Sequence, residues 1–139
     1  GQNLGEAFLT PTRLYVRSVL ALHKAGLLHG AAHITGGGLP GNLPRVLPDG
    51  LDAVIDGAWP VPPVFGWLAR TGNVENEEML RVFNCGIGMI LITPEPEKVM
   101  EMLASMGEAA TVIGHVARAA DASAKPGLTM QATPDFRAV

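Results

Sequence analysis

The amino-acid sequence predicts an α+β fold in which helices pack on a mixed β-sheet. Several segments carry the helical period of apolar residues, and several short apolar runs are bounded by glycine or proline. The order is one helix followed by mixed strands and helices, which favours a layer of helices on a mixed sheet. The length of 139 residues, 47% of them hydrophobic, fits one domain with its own core.

The first half of the chain predicts two helices and two strands. Thr10 can cap the first helix, Pro11 suits its first turn, and Gly26 can end it in a left-handed conformation. Three glycines end the first strand, and the second helix is short because Pro48 closes it. The predicted segments are helix 13–24, strand 29–35, helix 42–47 and strand 51–55.

The second half predicts three helices and further strands. Glu75, Glu77 and Glu78 crowd the first turn of one helix, where the helix dipole favours negative charge. The run over 88–93 is apolar and bounded by glycine and proline, which is typical of a buried strand. The predicted segments are helix 64–70, a helix that begins near Glu75, strand 88–93, helix 95–106, strand 111–117 and a weak edge strand near 128–132.

Composition excludes several classes of protein. Ten Lys and Arg against thirteen Asp and Glu give a net charge of −3, so the chain has no basic excess to neutralise a nucleic-acid backbone. Its single cysteine and four histidines without paired spacing suit a reducing compartment and give no metal site. No apolar run approaches the ~20 residues of a membrane helix. We therefore expect a cytoplasmic protein without nucleic-acid or membrane partners.

The transition from the first strand into Gly36-Gly37-Gly38 is the strongest chemical feature. Glycines let backbone N–H groups approach an anion closely, and a following helix N-terminus adds partial positive charge. Asn42 and Arg45 follow, and an arginine can hold a phosphate through two hydrogen bonds. The alternative, of about equal weight, is that the three glycines only make a tight turn.

The same loop matches a dinucleotide-binding fingerprint formally but not physically. Gly36, Gly38 and Gly41 fit the spacing G-x-G-x-x-G. However, a parallel crossover needs a helix of at least ~10–12 residues, and Pro40 and Pro44 interrupt the short span that is present. We therefore reject the dinucleotide interpretation and keep the anion loop.

The remaining chemical candidates are weaker, and no complete catalytic set appears. His33 on a strand is more often a hydrogen-bonded core residue than a base, and His29 with His33 lacks the third ligand of a zinc site. Cys85 could be a nucleophile, but no base lies beside it in sequence, and a buried inert cysteine is the commoner case.

Several separate motifs resemble the phosphoribosylformylglycinamidine cyclo-ligases, also called aminoimidazole ribonucleotide synthetases. The resemblance extends from about Leu9 to Val116. It is carried by Leu9-Thr-Pro-Thr-Arg-Leu-Tyr-Val16, Ala32-His-Ile-Thr-Gly-Gly-Gly38, Asn42-Leu-Pro-Arg-Val-Leu-Pro48, Trp59-Pro-Val-Pro-Pro-Val-Phe65, Gly72-Asn-Val-Glu75, Phe83-Asn-Cys-Gly-Ile-Gly-Met89 and Val112-Ile-Gly114.

The resemblance implies the C-terminal, substrate-side domain of such an enzyme, with a partly ferredoxin-like topology. On this reading residues 1–120 are that domain without its first segment, and 121–139 are a linker-like tail with a possible edge strand. In the family, an N-terminal half binds most of the ATP and Mg²⁺ and forms the homodimer. This chain alone is therefore expected to be inactive.

The resemblance also implies a reaction and a set of binding residues. The enzymes close the ring of formylglycinamidine ribonucleotide, using ATP, to give aminoimidazole ribonucleotide, ADP and phosphate, the fifth step of purine biosynthesis. Asn84 is expected to line the cleft between domains, and no catalytic residue is assigned. The residues expected to hold the ribose phosphate or face the transferring phosphoryl group are Thr35, Gly36, Gly37, Gly38, Asn42 and Arg45.

Two alternatives stay open from the sequence. One is a related member of the superfamily, such as formylglycinamidine ribonucleotide synthetase or a selenophosphate- or thiamine-phosphate-type enzyme. The other is a non-catalytic module that binds a phosphorylated metabolite or another subunit.

Overall fold

The computed structural model describes residues 3–138, with the backbone alone at Leu4. It confirms the α+β class, with six α-helices, one 3₁₀ helix and five strands in the described part of the chain. The elements are α1 (Leu4–Phe8), α2 (Val16–Lys24), β1 (Gly30–His33), α3 (Gly38–Asn42), the 3₁₀ helix (Leu43–Val46), β2 (Leu51–Ile55), α4 (Pro63–Gly72), α5 (Asn76–Val82), β3 (Met89–Ile92), α6 (Pro96–Ser105), β4 (Gly114–Arg118) and β5 (Leu128–Met130).

The strands form two sheets. β1 and β3 are antiparallel, with Gly30 opposite Ile92 and His33 opposite Met89. The other sheet has the order β4-β2-β5, in which β2 is antiparallel to β4 and parallel to β5. The three-stranded sheet is therefore mixed. Because β1 and β2 lie in different sheets, the rejection of a dinucleotide-binding crossover is also confirmed.

Three clusters of buried apolar side chains hold these elements together. The first lies between the two sheets and α3, the second joins α4, α5 and the end of the chain, and the third joins α2 to α6. Their buried members are Ala32, Ile34, Leu39, Leu43, Leu47, Ala53 and Ile55 in the first, Ala69, Met79, Leu80, Cys85 and Phe136 in the second, and Leu22, Val99 and Leu103 in the third.

The first long helix starts later than the sequence predicts. Thr10 Oγ1 donates to the Glu6 carbonyl at 3.2 Å, so this side chain serves the end of α1 rather than the start of α2. α2 begins only at Val16 and has no side-chain cap. On its surface Val16 and Leu20 are 66% and 50% exposed, whereas Leu22 is fully buried.

The segment after Ala120 is packed against the rest of the molecule. β5 lies at the edge of the mixed sheet, where Ala53 pairs with Leu128. Further on, Phe136 is fully buried in the second cluster. Among residues 3–138, no helix has the length and apolar character needed to cross a bilayer.

Candidate functional site

An open groove of about 1130 Å³ lies beside the glycine loop. Three predicted site residues line it, namely Thr35, Gly36 and Asn84. They come from two places in the chain: the first two follow β1, and Asn84 follows α5. Side chains alternate between the two faces of β1 and the residues that follow it. Ala32 and Ile34 are buried, whereas His33 and Thr35 are exposed, and this alternation explains why Thr35 is accessible at the groove.

The first two glycines of the loop are open to solvent. Gly36 and Gly37 are exposed, and within residues 3–138 their backbone N–H groups have no protein acceptor. Gly37 has φ of +95°, which an L side chain rarely adopts. The loop therefore offers two successive free backbone donors, of which Gly36 lines the groove and Gly37 follows it in the chain, and successive donors of this kind can bind an anion.

The third glycine has a packing role. Gly38 is buried with φ of +57°, and a Cβ atom there would lie 1.8 Å from the Leu80 carbonyl oxygen and 2.9 Å from that of Phe83. Its N–H donates to the Thr35 carbonyl at 3.1 Å, which closes the turn. The loop thus rests directly on the last turn of α5.

Asn42 supports the loop from inside the fold. It is 8% exposed, and its Nδ2 atom donates to the carbonyls of Gly38 at 2.8 Å, Gly36 at 3.3 Å and Thr35 at 3.4 Å. These hydrogen bonds turn the loop carbonyls toward Asn42. The arrangement is consistent with loop N–H groups that face the other way, toward solvent.

The turn after α5 forms another part of the groove wall. Asn84 Oδ1 accepts from the Gly86 N–H at 3.1 Å, and both Cys85 and Gly86 have positive φ, of 50° and 96°. A Cβ atom at Gly86 would lie 2.5 Å from Pro62 Cδ, so the turn is packed tightly against the segment before α4. Asn84 is consequently held on a short and fixed turn.

Arg45 lies apart from these residues. It is exposed on the 3₁₀ helix and does not line the groove, and neither do Gly37, Gly38 and Asn42. The structure therefore brings Thr35, Gly36 and Asn84 together at the groove. It places Gly38 and Asn42 beneath the loop, and Arg45 outside the lining.

The groove also contains His33 and Tyr15, which the sequence reasoning did not assign to a site. The interpretation of His33 as a core residue is wrong, since the side chain is exposed and its ring meets that of Tyr15 edge-on at 6.0 Å. A Cβ atom at Gly88 would lie 1.9 Å from Tyr15 Oη, so only glycine leaves space for the hydroxyl. The glycine directly before the strand was the signal that could have indicated this close approach.

The groove lining contains Arg13 and His33 but, among the described residues, no carboxylate. Arg13 forms an ion pair with Glu108, with Nη2 2.8 Å from Oε2. Ser18 donates to the same carboxylate at 3.3 Å. Glu108 therefore holds the guanidinium at the groove, whose described lining is largely apolar, with a few polar side chains and no carboxylate.

Cys85 is suited to packing rather than to nucleophilic attack. It is fully buried, and its Sγ donates to the Met79 carbonyl at 3.3 Å. Burial raises the pKa of the Cys85 thiol to about 12, so the thiolate is scarce at neutral pH. In the part of the chain that the structure describes, no group of three or more His, Cys, Asp or Glu side chains could hold a metal ion.

One family model matches the sequence over most of its length. It is described as AIR synthase related protein, C-terminal domain, and it matches residues 1–125. The match covers the glycine loop, Asn84 and the groove, and it ends before β5. Proteins of this family are generally ATP-utilising ligases and synthetases. The chain belongs to the family of AIR synthase related proteins, as a C-terminal domain.

Proposed function

We propose that this chain is the substrate-side domain of a phosphoribosylformylglycinamidine cyclo-ligase. The family membership supports the superfamily, and the motifs at Ala32–Gly38 and Phe83–Met89 favour the cyclo-ligase within it. In this proposal the chain acts with an ATP-binding N-terminal half, in a homodimer in the cytoplasm, and the domain alone is inactive.

The free backbone N–H groups of Gly36 and Gly37 are the observation that carries the proposal. They lie beside a groove without carboxylates, where Arg13 is fixed by Glu108. A dianionic ribose phosphate matches this set of donors, because charge-assisted hydrogen bonds to backbone amides are strong. Asn84 and the hydroxyl of Thr35 lie at the same groove and can meet the polar part of a ribonucleotide.

The proposed reaction needs positioning more than it needs an acid or a base from this domain. ATP transfers its terminal phosphoryl group to the formamide oxygen. An amidine nitrogen of the same molecule then attacks the formyl carbon, so that one C–N bond forms and the C–O bond to phosphate breaks. Because both groups belong to one molecule, holding its phosphate end limits the conformations that oppose ring closure.

ATP and Mg²⁺ are proposed to bind mainly to the N-terminal half. Mg²⁺ prefers carboxylate and phosphate oxygens in an octahedral arrangement. Within the described lining, the groove offers no carboxylate, so its residues do not fit a magnesium site. The role left to this domain is to bind and orient the ribonucleotide.

The reaction is tested by joining the domain to an ATP-binding half of the family and supplying candidate substrates. We expect ATP-dependent conversion of formylglycinamidine ribonucleotide to aminoimidazole ribonucleotide. Turnover of formylglycinamide ribonucleotide with ammonia instead would identify a synthetase of the same superfamily. Binding of phosphorylated metabolites without any turnover would identify a non-catalytic module.

The binding site is tested by a matched pair of glycine substitutions. A Cβ atom at Gly36 or at Gly41 meets nothing within 4 Å, but only Gly36 lines the groove. We expect Gly36→Ala to weaken ribonucleotide binding roughly 10- to 100-fold, because the added methyl group would keep the phosphate from approaching the backbone N–H groups closely, and Gly41→Ala to leave binding unchanged. Isothermal titration calorimetry on the joined protein measures both.

Arg45→Ala belongs in the same titration, because the sequence predicts that Arg45 holds phosphate. If Arg45→Ala binds the ribonucleotide more weakly but melts at the same temperature, the prediction that Arg45 binds the phosphate is supported. If Gly36→Ala binds as tightly as the unaltered protein, the glycine loop is not the phosphate site and the proposal is wrong.

A further inference from the structure

The end of the chain completes the core beneath α4 and α5. Phe136 is fully buried and belongs to the cluster that also contains Met79, Leu80 and Cys85. Two of these are side chains of α5, and Cys85 lies in the turn that follows it. The Phe136 ring is thus a structural support for the helix that leads into the groove.

Polar contacts fix the same segment to the connection between α4 and α5. The Phe136 N–H donates to Asn76 Oδ1 at 3.3 Å. Arg137 Nη2 donates to Glu75 Oε1 at 2.8 Å and to Asn73 Oδ1 at 3.2 Å. The Arg137 carbonyl accepts from Arg70 Nη1 at 3.2 Å. The tail residues therefore contact the start of α5 as well as its buried face.

The other end of α5 sets the shape of the groove. Gly38 lies against the carbonyls of Leu80 and Phe83, without space for even a Cβ atom. Asn84 follows directly on the same turn. Because cores are close-packed and transmit small shifts, a displacement of α5 moves the glycine loop and Asn84 together.

We propose that Phe136 and Arg137 are positioning residues for the groove, acting through α5 on Gly36, Gly37 and Asn84. This inference adds to the proposed function and rests on one part of it, the assignment of the groove as the binding site. Both residues lie beyond the segment that the family model matches, which ends at residue 125. The tail is thereby assigned a role in shaping the site.

The test compares Phe136→Ala with Leu22→Ala by ¹H–¹⁵N NMR of the ligand-free chain. Both side chains are fully buried, but Leu22 belongs to the separate cluster with Val99 and Leu103. We expect Phe136→Ala to displace the amide resonances of Gly36, Gly37 and Asn84, and Leu22→Ala to leave them in place. Equal displacement by both variants would mean general loosening of the fold and would overturn the proposal.

Arg137→Ala provides a second variant that keeps the core intact. It removes only surface contacts to Glu75 and Asn73, so the chain should stay folded even if Phe136→Ala does not. We expect smaller displacements at the same three amides and roughly 2- to 30-fold weaker ribonucleotide binding in the joined protein. Unmoved resonances of the three amides in the folded Arg137→Ala variant would refute the inference.

The two proposals fail in different ways. The resonances are measured without ligand, so displacement in the tail variants supports the positioning role whatever the groove binds. If the unaltered protein does not bind the ribonucleotide, the proposed function is wrong while the NMR comparison remains decisive for the tail.

Discussion

At Gly38 the backbone passes so close to α5 that the identity of a single residue decides whether two elements can meet. From the sequence, the three glycines were predicted to share one role, either as an anion loop or as a tight turn. The structure separates them, because Gly36 and Gly37 are exposed while Gly38 is buried. Sequence alone shows only that the three glycines are adjacent, and it cannot show that α5 lies behind the last one.

Gly38→Ala is expected to destabilise the fold by about 2–5 kcal/mol. The positive φ of 57° would strain the backbone of an alanine. Its Cβ atom would also lie 1.8 Å from the Leu80 carbonyl oxygen, which overpacks the contact. Urea denaturation measures the free energy of unfolding. Gly36→Ala is the control and should change it by less than about 1 kcal/mol, and equal losses for both variants would contradict the packing role of Gly38.

Cys85 makes stability depend on alkaline pH. Its pKa is raised from 9.0 to about 12 in the folded protein because the thiol is buried. Above pH 9 the unfolded chain releases this proton while the native state keeps it. The stabilisation is complete below pH 9 and decreases by about 1.4 kcal/mol per pH unit as pH rises toward 12.

The measurement is the unfolding free energy of the unaltered protein and of Cys85→Ala between pH 8 and about 11. Other groups titrate in this range in both proteins, so only the difference between their slopes reports the thiol. We expect the free energy of the unaltered protein to fall more steeply. Parallel curves would show that the thiol is not shielded from solvent in the native state.

At the level of elements, the short helix α3 shows what pattern reasoning captures and what it misses. A helix after the glycine loop was predicted over 42–47, but α3 begins at Gly38 and continues as a 3₁₀ helix to Val46. Pro40 lies within the first turn, where its missing N–H has no intrahelical acceptor to lose. The prediction placed the start too late because it treated Pro40 only as a helix breaker.

Asn42→Asp is expected to destabilise the loop and α3 by about 2–4 kcal/mol. The amide donates to three loop carbonyls, whereas a carboxylate would bring a buried negative charge toward those oxygens. Thermal unfolding monitored by circular dichroism provides the measurement. Asn76→Asp, at a less buried site, is the control, and a smaller loss in Asn42→Asp than in this control would contradict the supporting role of Asn42.

Strands were predicted more accurately than helix starts. The run 51–55 is a strand at the predicted bounds. A short apolar segment between two turns is too short for a typical helix, so a strand is the structure that it favours. The helix α1 was not predicted, since five residues carry too little periodicity to be recognised. Its capping box depends on Asn3 and Glu6, which together satisfy two backbone donors.

At the scale of the whole molecule, the candidate site joins segments that are far apart in the chain. Gly36 was predicted from a local motif, and Thr35 and Asn84 only from the resemblance to a family. Tyr15 and Arg13 were not predicted as groove residues, because their role depends on tertiary contacts to Gly88 and Glu108. Local patterns indicate which residues can bind an anion, whereas packing decides which of them share a surface.

Three separate clusters stabilise the molecule, and not all of its apolar side chains contribute. Leu9 and Leu14 are 82% and 85% exposed, whereas Leu22 in the next helix is fully buried. Hydrophobic stabilisation is proportional to the apolar area removed from water, so the first two add little to folding. The pattern of apolar residues in the first twenty positions therefore overstates how much of this region belongs to the core.

The parallel pairing of β5 with β2 has a practical consequence for recombinant work on this domain. A gene truncated where the family match ends would remove β5 and leave one side of β2 with unpaired backbone groups. Such a bare strand readily pairs with another copy, which leads to inclusion bodies and fibrous deposits. Expression clones should therefore include β5, which ends at Met130.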